Sequence, residues 1–454
     1  MNPSVSNPLS QWRKTSLIGK SVGLLSNWHH TSYLLQYSDA IASMLVCILL
    51  ILAPFSSTTF IGVMLLAISS FWLLLTIAET NPNQITSIHL WIFFYWLASI
   101  ISTAFSPLKT ASFSGLVKFS LYLVFFALCA RIFKHKKLLE WIATTYLLIS
   151  LIVSGYGIRQ KIIGVTPLAT WTDTTLQTAD LTRVYSYLGN PNLLGGYLLP
   201  AVALGLGALI MWKTLPQKAL ALVIVVTNIT CIYFTGSRGA WLALIALLFT
   251  FLLGLNYWWA EYLSPFWRKW LVPIILGIFS LFIITAIILV EPLRLRILSM
   301  FSWRGDSSNN FRINVWYAVF QMMRDYPITG IGLGNQVFNQ IYPLYMKTNF
   351  TALSSYSIFL EIPLETGIIG ITFFMGILVS VLKRAMAEIK IFKEANNTMG
   401  IWIIASLAAL VGLATQGVFD TVWFRPQINT LWWLLIGIIA AYPLKAMDNR
   451  KIDN

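Results

Sequence analysis

Charge is scarce in this sequence. Only 10% of its 454 residues are charged, where soluble proteins carry about 25%, so a set of soluble domains is excluded although the length would hold two or three. Acidic residues are the rarest part of that charge: 16 Asp and Glu stand against 31 Lys and Arg, a net of +15. On a soluble chain such an excess points to nucleic acid. On a chain that is 57% hydrophobic it is charge in loops between membrane spans, and no nucleic-acid partner is expected. Cysteine is nearly absent, and Cys47, Cys129 and Cys231 all lie inside apolar runs, which excludes a disulfide framework or a cysteine-bound metal. No cofactor or metal is called for. Histidine is limited to His29, His30, His89 and His135.

What is abundant is apolar sequence in runs of membrane length. A helix needs about 20 such residues to cross the hydrocarbon, and this predicts an all-α, polytopic bundle of about twelve spans. They fall near 39–56, 60–78, 88–105, 111–130, 138–158, 191–212, 218–234, 239–254, 270–290, 366–382, 400–418 and 429–444. The seventh and eighth are joined only by Thr235-Gly236-Ser237-Arg238, a tight helical hairpin. No cleavable signal is expected, because the first apolar run begins as late as Asp39. The stretch Ser16–Trp28 before it spaces Leu17, Val22, Leu24, Leu25 and Trp28 as a helix lying on the membrane surface.

Basic residues orient the bundle. With the N-terminus inside, 18 Lys and Arg fall on the cytoplasmic side and 12 outside, and Lys118 lies within a span. The chain then divides into a cytoplasmic tail (1–38), spans 1–5 (39–158), an extracytoplasmic loop (159–190), spans 6–9 (191–290), a large extracytoplasmic loop (291–365), spans 10–12 (366–444) and a cytoplasmic tail (445–454). In the large loop, Phe311 to Tyr326 places Val315, Trp316, Val319, Phe320 and Met323 at helical spacing before Pro327, an amphipathic helix. The expected location is a plasma (inner) membrane or a thylakoid membrane, with both termini cytoplasmic and lipid as a constant partner.

Three sets of residues carry candidate chemistry. Lys118 is an ionisable group at membrane depth, either functional or snorkelling to the interface. Nine arginines face outward against the positive-inside tendency: Arg159, Arg183, Arg238, Arg294, Arg296, Arg304, Arg312, Arg324 and Arg425. Arginine grips carboxylate, bicarbonate or phosphate with two donors, which points to an anion site, and Arg238 is the sharpest because the hairpin turn holds it. Glu361 and Glu365 share one helical face and Asp420 lies near Arg425; these acids serve as proton-handling groups or as partners of the arginines. Gly19-Lys20-Ser21 lacks the glycine of a phosphate-binding loop, because Lys14 stands five places earlier. Gly330-Ile331-Gly332-Leu333-Gly334 lacks the dinucleotide spacing, so no ATP-driven mechanism is expected.

Four segments in order resemble the O-antigen ligase-like membrane proteins: Tyr187–Asn192, Thr235–Trp241, Pro327–Asn335 and Glu365–Gly370. The likeness covers about 180–430. A further run from Asp420 to Thr430, with Trp423, Arg425, Pro426 and Gln427, and the paired Trp432-Trp433, is similar to a cyanobacterial branch proposed as bicarbonate, or inorganic-carbon, transporters. The superfamily resemblance implies transfer of a lipid-linked glycan on the outer face, with Arg238 and Arg312 in the positions of the ligases' arginines. The ligases' histidine position falls on Tyr356, followed by Ser357.

Two functions follow as expectations. The first is transport or accumulation of bicarbonate or another small anion, bound by Arg238, Arg312 and Arg425, with Lys118 continuing the path. The alternative is a transferase acting on a polyprenyl-pyrophosphate-linked glycan, with Arg238, Tyr356 and Glu365 at its catalytic site.

Overall fold

The computed structural model describes residues 32–78, 85–165, 183–289, 294 and 307–442. The Ser16–Trp28 surface helix lies outside them, as do most of the 159–190 loop and both chain ends. Every described element is helical. After one turn at Tyr33–Gln36 come α1 (Ser38–Leu52), α2 (Thr58–Ala78), α3 (Ser87–Phe105), α4 (Lys109–Ile132) and α5 (Lys136–Ile163). Then follow α6 (Pro191–Met211), α7 (Leu215–Phe234), α8 (Arg238–Trp258) and α9 (Pro265–Leu289). The large loop contributes α10 (Ser307–Asp325) and α11 (Asn335–Ile341), and the chain ends with α12 (Ile358–Glu394), α13 (Met399–Gly417) and α14 (Pro426–Ala440).

Among the described residues, ten helices are long and apolar enough to cross a membrane: α1 with the turn that extends it to Phe55, then α2 to α8, α12 and α13. The remaining two expected spans coincide with α9 and α14. At 15 residues α14 is about 22 Å long, shorter than the roughly 30 Å of hydrocarbon. Helix starts follow local chemistry. Asn190 caps α6, its Oδ1 accepting from the Asn192 and Leu193 N–H groups, with Pro191 at the first helical position. Thr86 and His89 form a capping box at α3, which accounts for one of the few histidines structurally.

Three expectations are corrected. The tenth span does not begin at 366: α12 starts at Ile358, directly after Ser357, and runs 37 residues through a break at Gly367. The amphipathic helix begins at Ser307 and ends at Asp325, and it buries Val315, Val319 and Met322 while Phe320 stays exposed. The tight turn between α7 and α8 is present, but the helices diverge from it. Instead, α8 packs along α13 and α7 along α6.

The break at Gly367 (φ 64°, ψ −166°) shapes the large loop. It frees the carbonyls of the preceding turn, and the Gly330–Gly334 segment takes them. Ile331 N–H donates to Leu364 O (2.9 Å), and Gly332 N–H and the Ser102 hydroxyl both donate to Glu365 O, at 3.0 and 2.5 Å. Ser106 Oγ donates to Ile331 O, and Leu333 N–H donates to Ser112 Oγ. The glycine motif is therefore a clasp fastening the loop to α3, α4 and α12. Above it lies a second hydrophobic core, built from Val315, Val319, Met322, Val337, Phe338 and Tyr342 and separate from the core of the bundle. We call this the loop end. At the opposite end Arg131 and His135 meet Asp39, Arg384 pairs with buried Glu388, and Lys393 pairs with Glu261.

Candidate functional site

A polar cluster lies where the loop core meets the bundle. Asp420, in the connection between α13 and α14, is its centre. Asn192 Nδ2 donates to Asp420 Oδ2 at 2.6 Å and the Thr421 N–H donates to Oδ1 at 2.7 Å. Asn192 sits in the first turn of α6, where the capped helix start fixes it. Its Oδ1 accepts from Arg183 Nη2 at 2.9 Å and its carbonyl accepts from Gln416 Nε2 at 2.7 Å. Arg183 Nε donates to Thr235 O (2.9 Å), tying in the turn before α8. From the loop side, Arg312 Nε donates to Phe419 O (3.1 Å) and Nη1 to Ser308 Oγ (2.7 Å). The Ser354 and Thr421 hydroxyls share a 2.5 Å bond across the same boundary.

Tyr356 completes the cluster. Its backbone is in the left-handed region (φ 55°), its ring meets Phe311 edge to face at 5.5 Å, and its phenol lies within the fields of Asp420 and Arg312. Burial pushes the phenol up to about 12, Asp420 adds to the shift and Arg312 opposes it. Tyr356 is therefore a hydrogen-bond donor near neutral pH. Burial also raises the Asp420 carboxyl above the ordinary carboxylate range, against the pull of Arg312, the Thr421 N–H, Asn192 and Arg183. The folded state thus holds the Asp420 proton more tightly than the unfolded chain, so stability falls as pH rises through the Asp420 titration. Thermal melts stepped upward from pH 4 should show this slope in the wild type and lose it in Asp420→Asn. Equal slopes would mean that the titration belongs to another group.

The 354–357 loop is fixed from below. Glu361 is fully buried, and its Oε2 accepts from the Ser355 N–H at 2.6 Å, while Trp316 Nε1 donates to Ser355 O at 2.9 Å. Glu361→Ala should accelerate amide exchange across Ser355–Ser357, whereas Glu361→Gln, which keeps an acceptor, should preserve protection. Unchanged exchange in the alanine variant would remove Glu361 from this role.

The expected site residues divide by position. Arg312 and Tyr356 are in the cluster. Arg238 is the first residue of α8, half-buried at the cluster's edge, and its neighbour Gly239 packs beside Gln416 and Phe419. Glu365 is turned into the clasp, its Oε1 accepting from the Gly334 N–H at 2.7 Å. Arg425 is exposed and serves α14 through its backbone, and Lys118 is exposed on α4; neither is brought to the cluster. Sequence reasoning missed Asn192, which bridges Arg183 and Asp420, and Gln416. In the sequence Asn192 only closes the Tyr187–Asn192 segment of the superfamily resemblance, and no local signal reveals that its side chain faces a residue more than two hundred positions away.

Residues 220–375 match the family model described as O-Antigen ligase. The matched stretch runs from α7 to the middle of α12 and contains Arg238, Arg312, Tyr356 and Glu365. It supports the O-antigen ligase-like superfamily and, with the ten apolar helices, an integral membrane protein. It gives the bicarbonate-transporter branch no support. No curated protein matches the chain.

Proposed function

We propose that this protein is a membrane transferase that moves a glycan from a polyprenyl-pyrophosphate carrier to an acceptor hydroxyl. The observation that carries the reading is that the ligase-matching stretch brings Arg312 onto the carbonyl of Phe419, next to Asp420, and packs Tyr356 on Phe311, next to Arg312, at the edge of the bundle. Arginines are the side chains suited to grip a pyrophosphate with paired donors. In the reaction the acceptor oxygen bonds to the anomeric carbon of the glycan and the bond from that carbon to the pyrophosphate oxygen breaks. Arg312 and Arg238 hold the charge that grows on the departing pyrophosphate. The acceptor's proton passes to a carboxylate, for which Asp420 is the group in the cluster. Tyr356 donates a hydrogen bond where the ligases have histidine. Glu365 belongs to the clasp and has no part in the step.

In this reading the twelve spans place both termini in the cytoplasm and the loop end on the outer face of the plasma membrane, where lipid-linked glycans are consumed. The domains are those of the sequence, with the large loop ending at 357. The bicarbonate expectation rested on the 420–433 run and on four cations, two of which, Arg425 and Lys118, stand apart from the cluster.

Purified protein in liposomes, given undecaprenyl-pyrophosphate-linked oligosaccharide and a panel of glycan and lipid acceptors, should release undecaprenyl pyrophosphate and form the glycosylated acceptor. The same liposomes assayed for labelled bicarbonate uptake should show none. Uptake without transfer reverses the assignment.

A further inference from the structure

We infer that Phe55, Tyr187 and Tyr156 form a stacking platform that binds a sugar ring of the glycan chain. Tyr156 lies in the last turns of α5, Tyr187 in the short 3-10 turn Ser186–Leu188, and Phe55 ends the turn that follows α1. The Tyr156 and Tyr187 rings stack with centroids 4.3 Å apart at 19°, and Phe55 meets Tyr187 edge to face at 4.8 Å. Phe55 keeps 46% and Tyr187 44% of its surface exposed, so the stack is not a core contact. The Arg159 guanidinium stands 5.7 Å from the centre of the Tyr156 ring.

The platform is held rigid from beneath. Gln160 Oε1 accepts from the Tyr185 and Ser186 N–H groups at 3.1 and 2.7 Å, and Ser186 Oγ donates to Val153 O at 2.7 Å. Those contacts fix the turn that carries Tyr187 before any ligand arrives, which lowers the cost of ordering on binding. The turn also leads directly to the cluster. Tyr187 precedes Asn192 by five residues, so the two are at most about 17 Å apart along the chain. A glycan whose pyrophosphate lies at the cluster therefore brings its sugars within reach of the rings.

The chemistry suits a pyranose. Its C–H bonds present a weakly positive, apolar face, and aromatic rings present a negative one, while its hydroxyls need charged or polar neighbours such as Arg159 and the tyrosine hydroxyls. Tyrosines at a membrane interface are the other occupant of such a surface. A mutually stacked group on an anchored turn, with a cation against it, favours the sugar.

This inference rests on the glycan reading of the site, and the two are tested apart. Full-length protein in lipid nanodiscs is probed by saturation-transfer NMR with linear oligomers, one to four units long, of glucose, galactose, mannose and N-acetylglucosamine. Saturation should reach the sugar C–H protons of at least one series. Tyr187→Ala and Phe55→Ala should remove it, Tyr187→Phe should keep it, and Arg238→Ala should leave it unchanged. In the transfer assay Tyr187→Ala should raise KM about tenfold for a lipid-linked tetrasaccharide, with kcat little changed and a lipid-linked monosaccharide unaffected. Saturation without any transfer by the wild type keeps the platform and overturns the transferase. Transfer with no saturation from any series overturns the platform. So does an equal effect of Tyr187→Ala on long and short donors, or an effect on bilayer insertion alone.

Discussion

Arg312→Ala should lower glycan transfer by about 10²- to 10³-fold, the loss typical when one preorganised donor is removed from developing charge. The fall should appear in kcat, because the charge on the pyrophosphate grows as the glycosidic bond breaks. Arg312→Lys should recover only part of the rate, since an ammonium cannot offer the planar pair of donors. The residue also fastens α10 to Phe419 O and bonds Ser308 within the helix, so a melting curve must accompany the kinetics. A variant that melts like wild type and transfers a hundredfold more slowly places Arg312 at the reacting phosphate. One that transfers at the wild-type rate removes it from the site. Lys118→Ala and Arg425→Ala, whose side chains are exposed and apart from the cluster, are the matched charge-removal controls.

Gly367→Ala should be the most damaging small substitution. A Cβ there would lie 2.0 Å from Ile328 O and 2.3 Å from Ile328 C, and the backbone at φ 64°, ψ −166° is a conformation essentially reserved for glycine. The conflict is with backbone atoms, so no side-chain adjustment relieves it, and the clasp must open. Strain together with the hydrogen bonds lost from Ile331, Gly332 and Ile368 should cost about 4 kcal/mol. Thermal unfolding in detergent, followed by the fluorescence of tryptophans in the loop and the bundle, measures it. Gly277→Ala is the control, for a Cβ there meets nothing within 4 Å. A wild-type melting profile for Gly367→Ala would mean that the break in α12 is not maintained in solution.

Much of this fold is legible in the sequence, because each span is a local property. Hydropathy and length locate a helix without reference to anything it touches, and all twelve expected segments contain one. The boundary at 366 failed for a local reason. Pro363 and Gly367 lie inside the helix, which begins ahead of them where the Ser357 carbonyl accepts the Glu361 N–H, and the loop core buries the turn between. The site was legible in its charged residues, Asp420 among them, and through the resemblance in Tyr356. Positive charge on the unexpected side marks an arginine as worth attention, and that is how Arg183 and Arg312 enter the list of nine. Nothing in the periodicity sorts Arg312 from Arg425, because the distinction appears only after folding, when Arg312 donates to Phe419 O and Arg425 stays exposed. The glycine run Gly330–Gly334, set aside as a failed nucleotide motif, proves to be structural, its meaning residing in carbonyls that α12 leaves free.

Because the loop has its own hydrophobic core, the cluster belongs to neither of the two packed bodies. Arg312 and Tyr356 travel with one, Asp420, Asn192 and Arg183 with the other, and the clasp at Gly367 sets the register between them. Each body can open locally at its own free energy. In the proposed transferase, turnover then depends on a mechanical quantity, the alignment of the two packed bodies across a joint. A substitution deep in the loop core, such as Phe338→Ala, should slow the proposed transfer without altering any polar side chain of the cluster.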